Sequence, residues 1–186
     1  MALPLRSRPF SVHEFHRMTD AGILSEDDRV ELIDGDIVEM APIGPRHASC
    51  VMRLTSLLTE QLGGQAVVSV QNPIQLGERS ELYPDVAVLA PRSHEYRTEL
   101  PGPADVLLLI EVADTTADAD RTVKIPRYSH AGIVEVWLVD LNSDVVHVHS
   151  DPTSAGYRVT KIVRRGDLLQ PIRLPGCRII AEAILA

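Results

Sequence analysis

Few residues in this chain have types and spacings suited to chemistry. Pro84-Asp85 opens one predicted strand, and Glu111 lies near the end of another, in the apolar run Val106-Leu-Leu-Leu-Ile-Glu-Val112. A carboxylate in such a run is costly unless a metal or charged partners satisfy it. Two carboxylates brought together at neighbouring strand ends make a site for a hard divalent cation, and without the cation their like charges repel. The bland alternative is a Glu111 that marks a solvated strand end. Lys124 follows on the next predicted helix, with Tyr128 one turn later on the same face. A lone helix lysine is usually solvated. The interest of this one comes from its company, because Asp120, Arg121 and Lys124 fall where the helix can fold back over the strand end. Glu31 is the remaining acid, alternating with apolar residues in a hairpin, where a solvated edge position is its plain explanation.

Other polar groups say less. His47 opens a long helix, where it can cap, contact phosphate or lie on the surface. His147 and His149 share one strand face, but a metal there needs a third ligand that the sequence does not supply. Asp114, Asp118 and Asp120 are dense, yet charge complementarity at a helix start explains them.

The elements that must position these groups read as follows. Ser11-Val-His-Glu14 is a capping box for a short helix ending by Gly22. Asp34-Gly35 turns a hairpin between Arg29–Ile33 and Asp36–Met40. The stripe Val51, Leu54, Leu57, Leu58, Leu62 defines a helix over Arg46–Leu62, stopped by Gly63-Gly64. Ala66–Val70 and Val86–Leu89 are short strands, with a polar loop at Gly77–Ser80 between them. Ala104–Ala113 reads as a central strand covered on both faces. Thr115–Ala131 is expected to be a helix, capped by Thr116 or Asp118 and kinked or restarted at Pro126. Ile133–Val139 is a second central strand and Val145–His149 its antiparallel return. Tyr157–Val163 and Leu168–Ile172 are edge elements, and Ile179–Leu185 a closing helical turn.

The 186 residues are 45% hydrophobic, which excludes a disordered chain, and their net charge of -8 excludes a polybasic nucleic-acid coat. Arg46, Arg53, Lys161, Arg164 and Arg165 remain candidates for local phosphate contacts. Aromatic residues at 4% leave few stacking platforms for single strands. Two cysteines, Cys50 and Cys177, are too few for a disulfide framework and suit a reducing cytoplasm. The N-terminus lacks a signal-peptide core, and no run is long enough to span a membrane.

In order and spacing, several segments together resemble the Uma2 family of bacterial proteins, placed in the PD-(D/E)xK nuclease superfamily. They are Val30-Glu-Leu-Ile-Asp-Gly35, Pro45-Arg-His47, Tyr83-Pro-Asp85, Ile110-Glu-Val112, Asp120-Arg-Thr-Val-Lys124, Tyr128, Gly132-Ile-Val-Glu-Val-Trp-Leu-Val-Asp140 and Leu174-Pro-Gly176. The resemblance implies an α/β, restriction-endonuclease-like fold: a mixed central sheet flanked by helices, with an N-terminal hairpin. It implies one domain over residues 1–186, with its core about 11–185. Asp85 corresponds to the signature aspartate and Glu111 to the second acid, and Glu31 looks like an additional acid; these three are the expected metal ligands. The usual lysine two residues after the second acid is replaced by Ala113, and its role passes to Lys124. His47, Gln71 and Tyr128 resemble accessory pocket residues. Val136 stands before Trp137 where many relatives carry tyrosine.

The expected activity is hydrolysis of phosphodiester bonds, in DNA above RNA, by a homodimer using Mg²⁺ or Mn²⁺, with no nucleotide cofactor and no membrane partner. The alternatives are a catalytically silent nucleic-acid-binding or regulatory descendant, or a protein-interaction module, which would leave Lys124 solvated away from the acids.

Overall fold

A computed structural model of the chain describes residues 8–25, 27–93, 96–114 and 120–185. Helix α1 (Val12–Asp20) starts at Ser11, which accepts a hydrogen bond from the Glu14 N–H while the Glu14 carboxylate reaches back to the Ser11 N–H. The expected capping box therefore forms, satisfying two donors that a helix start leaves open. Strands β1 (Val30–Ile33) and β2 (Asp36–Glu39) make the expected hairpin. Asp34 takes a φ of 53° and Gly35 one of 90°. Gly35 is required twice over, since a Cβ there would lie 2.4 Å from Pro9 Cβ and 2.9 Å from the Phe10 backbone.

Helix α2 (Pro45–Leu62) has proline in its first turn and Gly63 in the left-handed conformation at its end. Strand β3 (Val67–Val70) follows. The region after it holds more structure than a polar loop: β4 (Ile74–Gly77) and β5 (Ser80–Leu82) form a second hairpin, with Gly77–Ser80 as its tight end. These strands are only three or four residues long, too short for alternation to stand out in the sequence. Strand β6 (Val86–Leu89) comes next, then a 3₁₀ turn at Pro103–Asp105 and the long strand β7 (Val106–Ala113).

The predicted helix over Thr115–Ala131 is corrected in its described part. Asp120–Lys124 is a π-helical turn, and helix α3 is only Ile125–His130, with Pro126 in its first turn. Proline lacks the N–H that would continue a preceding α-helix, so it restarts one instead. The proposed caps Thr116 and Asp118 lie outside the described residues. Strands β8 (Glu135–Asp140), β9 (Val145–Thr153) and β10 (Gly156–Val163) follow. The C-terminal part holds the short pair β11 (Leu168–Leu169) and β12 (Ile179–Ile180), and then α4 (Glu182–Leu185).

A six-stranded mixed sheet, ordered β10-β9-β8-β7-β6-β3, forms the centre; β7 and β8 are parallel and the other pairs antiparallel. The parallel pair needs a crossover, and the 120–130 segment lies on it. Side chains alternate across β7. Leu108, Ile110 and Val112 pack on the face covered by α2 and α4, while Leu109 and Ala113 pack on the face covered by Ile125 and Tyr128. A smaller sheet, β2-β1-β5-β4, carries α1 through Val12, Phe15 and Leu32. The chain passes from this sheet to the central one at Tyr83-Pro84-Asp85, and Pro84 suits the break between them.

His149 on β9 is 8% exposed; its Nδ1 bonds Thr160 Oγ1 at 3.1 Å, and its buried Nε2 has no partner among the described residues. Burial, helped by His147 and Arg121, pushes its pKa down to about 4 from an ordinary 6.5. Between those values the unfolded chain binds the extra proton, so stability falls as pH falls. Urea denaturation should show a loss of roughly 3 kcal/mol between pH 6.5 and 4 from this group. His149→Gln should flatten that part of the profile, and an equally steep variant profile would refute the assignment.

Candidate active site

The register of β6 and β7 sets up the site. Val86 pairs with Ile110 and Ala87 with Leu109, so one step further Asp85 comes opposite Glu111. By alternation both acids belong to the face of Ala87 and Leu109, the face of α3. The Val112 N–H donates to Asp85 Oδ2 at 2.8 Å, and the Asp85 N–H to Glu111 Oε2 at 3.4 Å. Glu111 is 2% exposed, so the solvated strand end is excluded. Its Oε1 accepts the Tyr128 hydroxyl at 2.5 Å and faces Lys124 Nζ at 3.6 Å.

Lys124 ends the π-helical turn, a distortion that often marks functional positions because it re-aims a side chain. Its ammonium also lies 3.3 Å from Glu31 Oε2. Glu31 is 3% exposed on β1, an inner strand of its sheet flanked by β2 and β5. That corrects the plain edge reading. The Tyr83 N–H points at the same Glu31 oxygen at 3.4 Å.

Two of the three accessory residues gather around Asp85, Tyr128 being on Glu111. His47 Nε2 lies 2.9 Å from Asp85 Oδ2, and the Gln71 side-chain amide donates to Oδ1 at 3.3 Å. Gln71 has a φ of 51°, uncommon for a residue with a Cβ, and its own N–H bonds the Asp85 carbonyl at 3.1 Å. Each residue expected at the site, Glu31, His47, Gln71, Asp85, Glu111, Lys124 and Tyr128, thus belongs to one connected set. All but the buried Tyr128 line a cleft of about 1190 Å³.

The cleft also holds groups the sequence reading missed. Glu81 on β5 is 1% exposed, with His16 Nε2 at 2.6 Å from Oε2 and the Tyr83 hydroxyl at 3.3 Å from Oε1. Burial, reinforced by Glu81, pushes the Tyr83 phenol up to about 12 and keeps its proton in place to donate. The signal lay in Ser80-Glu-Leu82, whose alternation is legible only once β5 is recognised as a strand.

Asp114 also lines the cleft, while the remaining histidine and basic candidates are not among its lining residues. His147 and His149 stack at 6.4 Å, and among the described residues no three Asp, Glu, His or Cys side chains form a ready-made metal cluster. Of the basic residues offered for phosphate, three are engaged in the protein's own structure. Arg46 bonds Asp114 and the Leu141 carbonyl, Arg53 the Ile184 carbonyl, and Arg165 Asp144 and the Leu185 carbonyl.

Fit to a divalent cation rests on donor chemistry. Eight carboxylates line the cleft, Glu31, Glu81, Asp85 and Glu111 among them, against Lys124 and Arg29. An oxygen-rich donor set short of positive charge suits Mg²⁺ or Mn²⁺ better than a soft metal.

A mixed central sheet with paired acids where two neighbouring strands meet, flanked by helices and preceded by a hairpin, is a restriction-endonuclease-like fold. The chain belongs to the Uma2 family, whose model, described as "Putative restriction endonuclease", matches residues 12–182. Among solved structures it is similar to a crystal structure titled as a putative nuclease belonging to DUF820 from Anabaena variabilis. The two share 16% identity at a TM-score of 0.75, over 95% of this chain and 98% of that one. No curated protein matches the chain. Among the described residues no helix is long and apolar enough to cross a membrane.

Lys124 holds two buried acids apart from one another's charge. Lys124→Met should destabilise the metal-free protein by about 3 kcal/mol, the cost of breaking a buried ion pair. Adding Glu31→Gln to that variant should recover part of the loss. A loss below about 0.5 kcal/mol in urea denaturation, the scale of a surface ion pair, would show that the lysine is not structurally coupled to the acids.

Proposed function

We propose that the protein is a metal-dependent phosphodiesterase that cuts nucleic acid, DNA above RNA. One observation carries the reading: residues far apart in sequence, Glu31, Asp85, Glu111 and Lys124, are joined through one 3.3 Å and one 3.6 Å lysine contact and the Asp85–Glu111 backbone link. A protein-interaction module has no need of buried acids around a lysine in an open cleft.

In this reading Asp85 and Glu111 hold Mg²⁺ or Mn²⁺, and Glu31 holds a second ion or a water ligand. Such an ion polarises a phosphate oxygen and makes hydroxide available near neutral pH. The protein's own residues do the rest. Tyr128 fixes the Glu111 carboxylate through Oε1. Gln71 and His47 hold the two oxygens of Asp85. Lys124 orients the attacking water and offsets negative charge building on phosphorus. One cleft carries one set of acids, which favours a homodimer for cutting both strands of a duplex. The buried free thiols Cys50 and Cys177 are consistent with a reducing cytoplasm.

A catalytically silent nucleic-acid-binding descendant is the second reading. The observation in its favour is that Asp85 already accepts from His47, Gln71 and Val112, with no ready-made three-ligand cluster among the described residues.

Calorimetric Mn²⁺ titration paired with single-turnover cleavage of single-stranded, duplex and branched DNA and of RNA separates the two. Asp85→Ala and Glu111→Ala should each weaken Mn²⁺ binding at least about tenfold and abolish turnover. Lys124→Met should retain Mn²⁺ affinity and slow the chemical step by about 10²- to 10³-fold. Unchanged Mn²⁺ affinity in both acid variants would eliminate the site. Mn²⁺ binding without cleavage of any substrate by the wild type would establish the silent descendant.

A further inference from the structure

One face of β1 runs from the core to the mouth of the cleft. Ile33 packs with Leu109 and Tyr128, and Glu31 is buried against Lys124. Arg29 comes next on that face. It immediately precedes β1, but its carbonyl still accepts from the Met40 N–H at 2.8 Å, so the ladder with β2 runs on through it. Alternation then places Arg29 on the side of Glu31. Arg29 is exposed and lines the cleft. Its guanidinium has no hydrogen bond or ion pair among the described residues. The nearest acids in the chain are occupied or turned away. Asp28 accepts from the Ser25 N–H and hydroxyl, and Glu39 sits opposite Val30, on the other face of the ladder. Other arginines differ in this respect: Arg46, Arg53, Arg127 and Arg165 are each tied to a carbonyl of the protein itself.

We infer that Arg29 binds the phosphodiester group next to the one that is cut, and so holds the substrate strand along β1. This rests on the nucleic-acid reading above. Eight carboxylates line the cleft against two fixed cations, Arg29 and Lys124. Lys124 is already shared between Glu31 and Glu111. A cation held by the acids serves the reacting phosphate, but the neighbouring phosphate meets the remaining acids without it and needs a positive partner of its own. A guanidinium is permanently charged, and its donor fork matches phosphate oxygens. Position agrees with this role. Two residues along a strand advance about 6.6 Å, on the order of one nucleotide step from Glu31. The cross-strand neighbour of Arg29 is the uncharged Met40, which also lines the cleft and leaves the guanidinium free for an anion.

The test uses the full chain. Labelled single-stranded and duplex DNA report binding by anisotropy across a salt series, and Mn²⁺-started cleavage is followed on the same DNA. Arg29→Ala should weaken binding about fivefold and lower the slope of log K against log salt by about one phosphate contact. Arg29→Lys, which keeps the charge, should keep the slope. Arg79→Ala removes the same charge from an exposed position that does not line the cleft, and it should leave affinity and slope at the wild-type values. In single turnover, Arg29→Ala should raise the DNA concentration needed for half-maximal rate and leave the maximal rate near wild type, the signature of lost binding and not of lost chemistry. The wild-type urea midpoint should persist, since the side chain is exposed and bonds nothing among the described residues. Wild-type DNA binding that depends on Arg29 but yields no cleavage would uphold the contact and sink the nuclease reading. Wild-type cleavage with unaltered affinity and slope in Arg29→Ala would overturn the contact and leave the nuclease reading standing. Equal losses in Arg29→Ala and Arg79→Ala would also overturn it, by showing a general charge effect. A wild type that neither binds nor cuts DNA would overturn both.

Discussion

The structure around the cleft is organised by the need to satisfy one carboxylate inside the central strand. Glu111 occupies a position where its neighbours on both sides are fully apolar and its strand is covered on both faces. An ionised carboxylate there is tolerated only if donors and a positive charge replace the lost water. Three groups do so from three segments: the Tyr128 hydroxyl from α3, the Lys124 ammonium from the π-helical turn, and the Asp85 N–H from the start of β6. The crossover between the parallel strands must therefore bring its lysine back over the sheet. Through Lys124 the same demand reaches Glu31 and fixes the small sheet beside the large one.

A buried acid alone does not make such a centre, as Glu135 on β8 shows. It too is 2% exposed in an apolar strand. Its partners are the Trp137 indole N–H and the Ile172 N–H, both neutral, and burial leaves its pKa raised. That acid pins the C-terminal segment to the sheet and lines no part of the cleft. Glu111 differs in company: a second acid across the ladder, a lysine, and open space in front.

Charge is distributed in keeping with this. The chain is acidic overall, and several of its arginines cap carbonyls or brace loops. Arg127 is a further case, joining Asp34 of the hairpin turn to the Val123 carbonyl just before Lys124. Under the proposed function, the net negative charge leaves attraction of a polyanion to local cations such as those of the cleft, a field that salt screens.

Much of this was legible in the sequence because it depends on local rules. The Ser11–Glu14 cap, the Asp34-Gly35 turn, the α2 stripe with its Gly63 stop and the apolar run of β7 are each set within a few residues. The motif order singled out Glu31, His47, Gln71, Asp85, Glu111, Lys124 and Tyr128. What the sequence could not decide was anything set by register or by packing between sheets. The β4–β5 hairpin was too short to show a period, so neither Glu81 nor its partner His16 stood out. The shortening of the crossover helix to α3, with a π-helical turn before it, answers to Pro126 and to the pull of Lys124 toward two acids. Glu31 reads identically in sequence whether its strand is an edge or an inner one. Only the pairing of β5 along β1 buries it, because burial is a property of neighbours that come from elsewhere in the chain.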